Sequence, residues 1–159
     1  MMYDNSCANS TVVELKEIFE QHKTERIFVL GTMCAGKTTL LKQFPSAIDM
    51  DNIAFLNITE EEAEIINRKP WTKEVGDTVD KIVYRNVKVK AGQPVFGTVI
   101  VDCEVVVYLE ISDGLLAKHC EKRGASLSDA LNMKIEIEKD LNNHKNKGEK
   151  IFYHVPVTE

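Results

Sequence analysis

The segment at residues 31–38 is the feature that most constrains how this chain can fold. It reads Gly-Thr-Met-Cys-Ala-Gly-Lys-Thr and matches the pattern G-x-x-x-x-G-K-S/T at every specified position. The apolar run Ile27–Leu30 precedes it, and residues 39–42 follow as the start of a helix. A strand, a glycine-rich loop and a helix in this order are typical of an α/β fold with an anion-binding loop.

The residue types of this glycine loop indicate what it binds. Gly31 and Gly36 let the backbone approach so closely that successive amide groups converge on a polyphosphate. Lys37 can reach the terminal phosphates, and the Thr38 hydroxyl can coordinate Mg²⁺. The positive N-terminal end of the following helix faces the same anion. The predicted nucleotide-binding residues are Gly31, Thr32, Met33, Cys34, Ala35, Gly36, Lys37, Thr38 and Thr39.

Length and composition favour one ordinary globular domain. The chain has 159 residues without a repeat or a Pro/Gly-rich linker, so we expect a single domain over residues 1–159, with residues 1–10 frayed. The net charge of −5 gives no general attraction for nucleic acid, which makes nucleic acid a possible but not a favoured partner.

The cysteines, the histidines and the N-terminus exclude several other classes. Four cysteines and four histidines show neither C-x-x-C pairs nor metal-ligand spacing. We therefore expect reduced thiols in a cytoplasmic protein and histidines with structural or surface positions. The N-terminus lacks a secretory signal pattern, and no apolar run is long enough to cross a bilayer. A soluble protein without a membrane partner is the expectation.

Hydrophobic periodicity and turn residues divide the chain into alternating strands and helices. The five predicted strands cover residues 26–30, 47–51, 94–98, 105–109 and 151–155. Apart from the helix after the glycine loop, helices are predicted at residues 11–23, 59–70, 71–90, 112–124 and 126–147. Thr11 is the expected cap of the first of these helices, and Gly92 is expected to close the 71–90 helix. This alternation predicts a parallel sheet between two helical layers.

Two features do not fit a regular parallel arrangement. Only residues 99–104 connect the third and fourth strands, fewer than the dozen or more that a parallel crossover usually takes. Either both strands are short and the connection is stretched, or these strands are arranged differently. The chain also stops after its last strand, so we expect the 11–23 helix to cover the face that a further helix would normally cover.

The residues in three places together resemble the small P-loop kinases, the group that contains shikimate, gluconate and adenylate kinases. These places are the glycine loop, the Asp49-x-Asp51 pair after the second strand, and the segment 105–113 followed by Arg123. The resemblance covers about residues 25–157. It implies a three-layer sandwich with a five-stranded parallel sheet in the order 2-3-1-4-5. It also implies an ATP-dependent phosphotransferase with Mg²⁺ and a lid at about residues 123–134.

The resemblance assigns the two aspartates to the reaction. At alternate strand positions their carboxylates would leave on the same face. We expect Asp49 to hold Mg²⁺ together with Thr38, and Asp51 to contact the acceptor hydroxyl as a base or orienting group beside Lys37. Alternatively, one of the pair caps the following segment or ends the strand. Asp102 is a rival Mg²⁺ residue, although it also fits a turn aspartate.

Three further positions are assigned on the same basis. Arg123 is expected to clamp the transferring phosphates, or else to favour the helix dipole as a C-terminal cation. No second lid arginine follows it, and only Lys134 and Lys139 could substitute. Arg68 is a candidate for binding an anionic acceptor, with a solvated helix-end arginine as the alternative. Residues 155–157 are expected to contact adenine through their backbone.

The leading functional hypothesis is a P-loop kinase that moves the γ-phosphate of ATP to a small-molecule or nucleotide acceptor. One alternative is a kinase that acts on nucleic acid, at a terminal hydroxyl or a modified base. The other is a P-loop protein that hydrolyses a nucleotide without an acceptor. The sequence leaves the identity of the acceptor and the oligomeric state open.

Overall fold

A computed structural model describes residues 10–68, 70 and 72–158 of the chain. The fraying expected for residues 1–10 falls outside the described residues except at Ser10, which begins the first helix. Trp71, the expected start of a helix, also lies outside them.

The described residues form an α/β fold built on one five-stranded, entirely parallel sheet. The strands are β1 (Ile27–Leu30), β2 (Ile48–Asp49), β3 (Val95–Gly97), β4 (Val105–Glu110) and β5 (Ile151–Pro156). The helices are α1 (Ser10–Gln21), α2 (Lys37–Leu41), α3 (Met50–Ala54), α4 (Glu60–Ile66), α5 (Lys73–Asn86), α6 (Asp113–Arg123) and α7 (Leu127–Lys147). The strand order β2-β3-β1-β4-β5 confirms the predicted sheet.

Successive residues of the central strands supply two separate hydrophobic cores. Phe28 and Tyr108 lie in the core that contains α3, α5 and α7, whereas Val29 and Val107 lie in the core that contains α1 and Leu40 of α2. Neighbouring side chains of a strand point to opposite faces, so each strand contributes to both cores. Helices therefore cover both faces of the sheet, as expected for parallel strands.

Helix α1 covers the face of the sheet near β5, which confirms the position predicted for the N-terminal helix. Its buried Leu15 and Ile18 lie in one core with Val155 of β5. Thr11 does not cap α1, because the helix already includes Ser10. The Thr11 side chain is instead buried at 1% exposure and donates a hydrogen bond to the Pro156 carbonyl oxygen at 2.7 Å.

The connection between β3 and β4 can be short because it contains no helix. Strand β1 lies between β3 and β4, so the connection passes two strand spacings of about 4.8 Å each. The residues at positions 98–104 can reach roughly 23 Å when extended. Val99, Ile100, Val101 and Cys103 are buried in the core beside α5, where their apolar side chains replace a covering helix. The first of the two predicted alternatives is correct in part: β3 is short, with three residues, but β4 has six.

Helix α5 is shorter than predicted, and the reason is burial. It begins at Lys73 with Thr72 as its N-cap and ends at Asn86. Val87 is already extended, and its side chain is buried in the core beside the helix. Gly92, with a φ of +82°, belongs to a later turn and does not close the helix.

Helix α4 ends at Ile66 and not near residue 70 as predicted, whereas several other helix ends follow local signals. Thr59 and Glu62 form a capping box, Ser126 caps α7, and Gly148 ends α7 in a left-handed conformation. Across residues 10–68, 70 and 72–158, none of the helices has the length and apolar character needed to span a membrane.

Candidate nucleotide-binding site

The glycine loop joins β1 to α2 at the carboxyl edge of the sheet. Gly36 has a φ of +96° and Cys34 a φ of +63°, so two left-handed residues turn this short segment. Left-handed residues among right-handed ones are typical of concavities in which backbone amides face an anion. The Gly31 amide donates to the Gly97 carbonyl oxygen at 3.0 Å, which fixes the start of the loop to β3. Helix α2 has only five residues, so the loop amides and Lys37 are the main candidates for phosphate contacts.

Lys37 lies at the base of this loop with its ammonium group held by backbone oxygens. Its Nζ atom donates to the carbonyl oxygens of Gly31 at 2.8 Å and Thr32 at 2.6 Å. Burial lowers the pKa of Lys37 to about 8, while the nearby Asp51 and Asp49 carboxylates act in the opposite direction. A cation that two carbonyl oxygens hold in the loop is suited to contact a phosphate.

The two predicted carboxylates lie near the glycine loop, but they do not lie on one strand as expected. Strand β2 ends at Asp49, and Asp51 lies in the first turn of α3, so the expected alternate strand positions are wrong. Asp49 is the N-cap of α3, and its Oδ1 atom accepts a hydrogen bond from the Asp51 amide at 3.0 Å. The alternative that one aspartate caps the following segment therefore holds for Asp49.

Asp49 and Asp51 nevertheless form one charged group with Lys37. Burial and the charge of Asp49 raise the pKa of Asp51, and the Lys37 ammonium lowers it. Thr38 is exposed beside Lys37 at the start of α2. The structure thus brings the loop lysine, the loop hydroxyl and both predicted carboxylates to the same edge of the sheet.

Three long-range contacts that the sequence did not predict hold the loop against α6 and α7. The buried Thr32 hydroxyl donates to the Ala130 carbonyl oxygen at 2.8 Å. The Met33 amide donates to the Met133 sulfur at 3.3 Å. The His119 Nδ1 atom lies 2.7 Å from the Cys34 carbonyl oxygen. No local sequence pattern signals these pairs, because their partners are 85 to 100 positions apart.

The predicted lid corresponds to the connection between α6 and α7 and to the beginning of α7. Arg123 is the last residue of α6 and is exposed, and its charge contributes to lowering the Lys37 pKa. Lys134, one of the possible substitutes for a second arginine, donates to the Ile111 carbonyl oxygen and to Asp113 Oδ1, both at 2.8 Å. The charge of Arg123 thus reaches Lys37, whereas Lys134 is engaged by Ile111 and Asp113.

Two predicted candidates lie apart from this group. Asp102 forms an ion pair with Arg26, which precedes β1, so it lies at the amino edge of the sheet, opposite the glycine loop. Its assignment to Mg²⁺ is wrong, and the turn aspartate alternative is correct. Arg68 is half-exposed and forms ion pairs with Glu74 at 2.6 Å and Glu64 at 3.4 Å. These carboxylates compete with any anionic acceptor for its guanidinium group.

A cavity of about 740 Å³ adjoins the outer side of the glycine loop. Its walls come from α1, the loop and start of α2, α6 and the C-terminal tail, here defined as residues 156–158. The residues that line it include Thr11, Gly36, Leu115, Lys122, Val157 and Thr158. A volume of this order is typical of sites for small organic ligands.

The expected backbone contacts of residues 155–157 with a base are largely unavailable. The Pro156 carbonyl oxygen accepts from Thr11, and the Val157 amide donates to the Glu110 carbonyl oxygen at 2.7 Å. Val155 is buried in the core between α1 and the sheet. Of these three residues only Val157 lines the cavity.

These residues fit a magnesium-bound polyphosphate. The loop supplies its amides and the Lys37 ammonium, and Thr38 and Asp49 supply oxygen atoms of the kind that Mg²⁺ prefers. Capping uses the Oδ1 atom of Asp49, and a carboxylate has a second oxygen. Within the part of the chain that the structure describes, no cluster of three or more His, Cys, Asp or Glu side chains forms a metal site by itself. An ion here would therefore need ligand oxygens from the phosphates.

Comparisons of the chain with protein-family models and with curated proteins found no match.

Proposed function

We propose that this protein is an ATP-dependent phosphotransferase of the small P-loop kinase type that acts on a small-molecule or nucleotide acceptor. The observation that carries the proposal is the position of the Lys37 ammonium. This ammonium group is held at the base of the glycine loop, in which Cys34 and Gly36 adopt left-handed conformations. Asp49 and Asp51 lie beside it. Phosphoryl transfer depends mainly on alignment and charge neutralisation, and this group of side chains can provide both.

The roles of the side chains follow from their positions. Lys37 and the loop amides bind the phosphates, and Thr38 and Asp49 hold Mg²⁺. When bound, the ion neutralises charge that develops on the phosphate oxygens. Asp51 orients the acceptor hydroxyl and takes up its proton. The raised pKa of Asp51 makes it a better proton acceptor than an ordinary surface aspartate. Arg123 stabilises the transferring phosphate from α6.

Binding and transfer are tested separately. Calorimetry with Mg²⁺ and ATP measures binding, and γ-labelled ATP offered with nucleosides, nucleotides, hydroxylated metabolites and oligonucleotides identifies the acceptor. The proposal predicts binding that depends on Lys37 and label transfer to one class of acceptor. Salt-sensitive transfer to an oligonucleotide would point to a nucleic-acid kinase instead. The absence of any binding heat with purine triphosphates would reject the proposal.

A second candidate function is nucleotide hydrolysis without an acceptor. It is favoured by the engagement of Arg68 and Lys134 with neighbouring carboxylates, because both cations were candidates for binding an acceptor or closing a lid. This candidate predicts phosphate release at the same rate with and without every acceptor in the panel. Acceptor-dependent transfer excludes it.

A further inference from the structure

Helix α1 and the C-terminal tail meet at the wall of the cavity beside the glycine loop. Thr11 of α1 and Val157 and Thr158 of the tail all line this cavity. The opposite wall comes from α6, and the loop itself closes the cavity at Ala35 and Gly36. A molecule with its phosphates on the loop can therefore extend into the space between α6 and the tail.

Thr11 makes the two shortest side-chain hydrogen bonds between α1 and the tail, and the Ser10 hydroxyl also lies 3.4 Å from the Thr158 hydroxyl. The Thr11 hydroxyl donates to the Pro156 carbonyl oxygen at 2.7 Å and accepts a hydrogen bond from the Thr158 amide at 3.2 Å. It thereby satisfies two backbone groups of the tail on either side of Val157. Thr11 is only 1% exposed, so these bonds are shielded from competing water.

The geometry points to Thr11 as a positioning residue that holds Val157 and Thr158 in place as the wall for the base of a bound nucleoside triphosphate. This inference rests on the proposed function, because it concerns the part of the same ligand that lies beyond the phosphates. In the tail, the Pro156 carbonyl oxygen and the amides of Val157 and Thr158 already form hydrogen bonds with protein partners. Its contribution to base binding is therefore a packed surface, and that surface depends on the two bonds of Thr11.

In this arrangement, the residues that would contact the base differ from those that would contact the phosphates. The phosphate contacts belong to the loop and Lys37, which are held by β3, α6 and α7 and do not involve Thr11. A change at Thr11 should thus weaken the binding of a ligand with a base and leave a ligand without one unaffected. A merely structural role of Thr11 would affect both ligands alike.

The test compares Mg²⁺–ATP with Mg²⁺–tripolyphosphate by calorimetry. Thr11→Val keeps the shape of the side chain and removes the hydroxyl, which leaves two backbone groups without their partner. We expect affinity for ATP to fall about tenfold and affinity for tripolyphosphate to stay within about twofold. Thr11→Ser keeps the hydroxyl and should restore affinity for ATP.

A second variant guards against misfolding of the first. Val157→Ala leaves the bonds of Thr11 intact and trims the wall, and it should weaken ATP binding about three- to tenfold without changing tripolyphosphate binding. Equal losses for both ligands, or no loss for ATP in either variant, would overturn the inference. Failure of tripolyphosphate to bind the wild-type protein would instead overturn the proposed phosphate site, and the inference with it.

Discussion

The Thr32 hydroxyl donates a hydrogen bond to the Ala130 carbonyl oxygen at 2.8 Å and so joins the glycine loop to α7. Both residues are buried, and Ala130 lies in the first turn of a helix of 21 residues. The loop is therefore anchored to one of the longest rigid elements of the protein. This bond links the shape of the loop to the packing of α7.

Thr32→Val should destabilise the protein and weaken phosphate binding. The substitution preserves shape and removes the hydroxyl that donates to the Ala130 carbonyl oxygen, and loss of such a hydrogen bond typically costs about 0.5–1.5 kcal/mol. Urea unfolding measures the stability, and calorimetry with Mg²⁺–tripolyphosphate measures the binding. Thr78→Val is a suitable control, because the Thr78 hydroxyl bonds only to the exposed Glu74 carbonyl oxygen within α5. A stability loss no larger than that of the control would contradict the proposed anchoring.

Lys37→Met should abolish useful phosphoryl transfer while the protein remains folded. Loss of one charge-stabilising contact typically reduces the rate by about 10²–10³. Lys42→Met is the matched control, since Lys42 is exposed at the C-cap of the same helix. Transfer is measured with γ-labelled ATP and folding by thermal unfolding. Undiminished turnover in Lys37→Met would reject the mechanism.

Binding of a triphosphate should depend on pH through Lys37. Its pKa is lowered to about 8, so the ammonium form that binds phosphate is lost as the pH rises through this value. Bound phosphate favours the charged form, so binding should take up protons at about pH 8–9 and weaken from about pH 7 to pH 9.5. Calorimetry in buffers of different ionisation enthalpy measures the uptake. In Lys37→Arg the guanidinium stays charged over this range, and the dependence should disappear.

Gly97→Ala should destabilise the sheet next to the site. A Cβ atom there would lie 2.6 Å from the sulfur of Met50 and 2.9 Å from Cζ of Phe28, both of which are buried. Overpacking of this kind costs about 1–3 kcal/mol. Gly114→Ala in α6 is the control, because a Cβ atom there meets no atom within 4 Å. Chemical denaturation of both variants gives the comparison, and equal stabilities would show that Met50 adapts freely.

Asp80→Asn should stabilise the protein at neutral pH. Burial, together with the charges of Asp140 and Asp77, raises the pKa of Asp80 to about 6. Its pKa in the unfolded chain is about 3.9, so folding loses stability as the pH rises from about 4 to 6. The shift corresponds to about 2.9 kcal/mol at most, and because Asp80 is partly exposed we expect a gain of about 1 kcal/mol.

Unfolding of the wild type and of Asp80→Asn at pH 7 and at pH 4 tests this expectation. The two proteins should differ at neutral pH and differ much less at pH 4, where the aspartate is protonated in the folded state and about half protonated in the unfolded chain. A gain that is independent of pH would contradict the assignment to Asp80.

The candidate site was predicted in part. Residues 31–38 follow a contiguous pattern, so the sequence was sufficient to locate the loop and Lys37 at the carboxyl edge of a strand. Asp49 and Asp51 were predicted to lie at this site, but the alternate strand positions expected for them were wrong. A strand of two residues shows no periodicity in the sequence, and α3 begins immediately after it. Asp102 resembled a strand-end acid, but only its ion pair with Arg26 revealed which edge of the sheet it occupies.

The sequence by itself determined the features that depend on neighbouring residues. These are the glycine loop, the alternation of strands and helices, and the starts of the helices near Thr59 and Ser126, because backbone preferences and local hydrogen bonds act over a few positions. Only the tertiary structure decided how the loop is anchored to Ala130 and how Thr11 joins the tail. Those contacts bring together residues about a hundred or more positions apart, and packing of the whole core selects them.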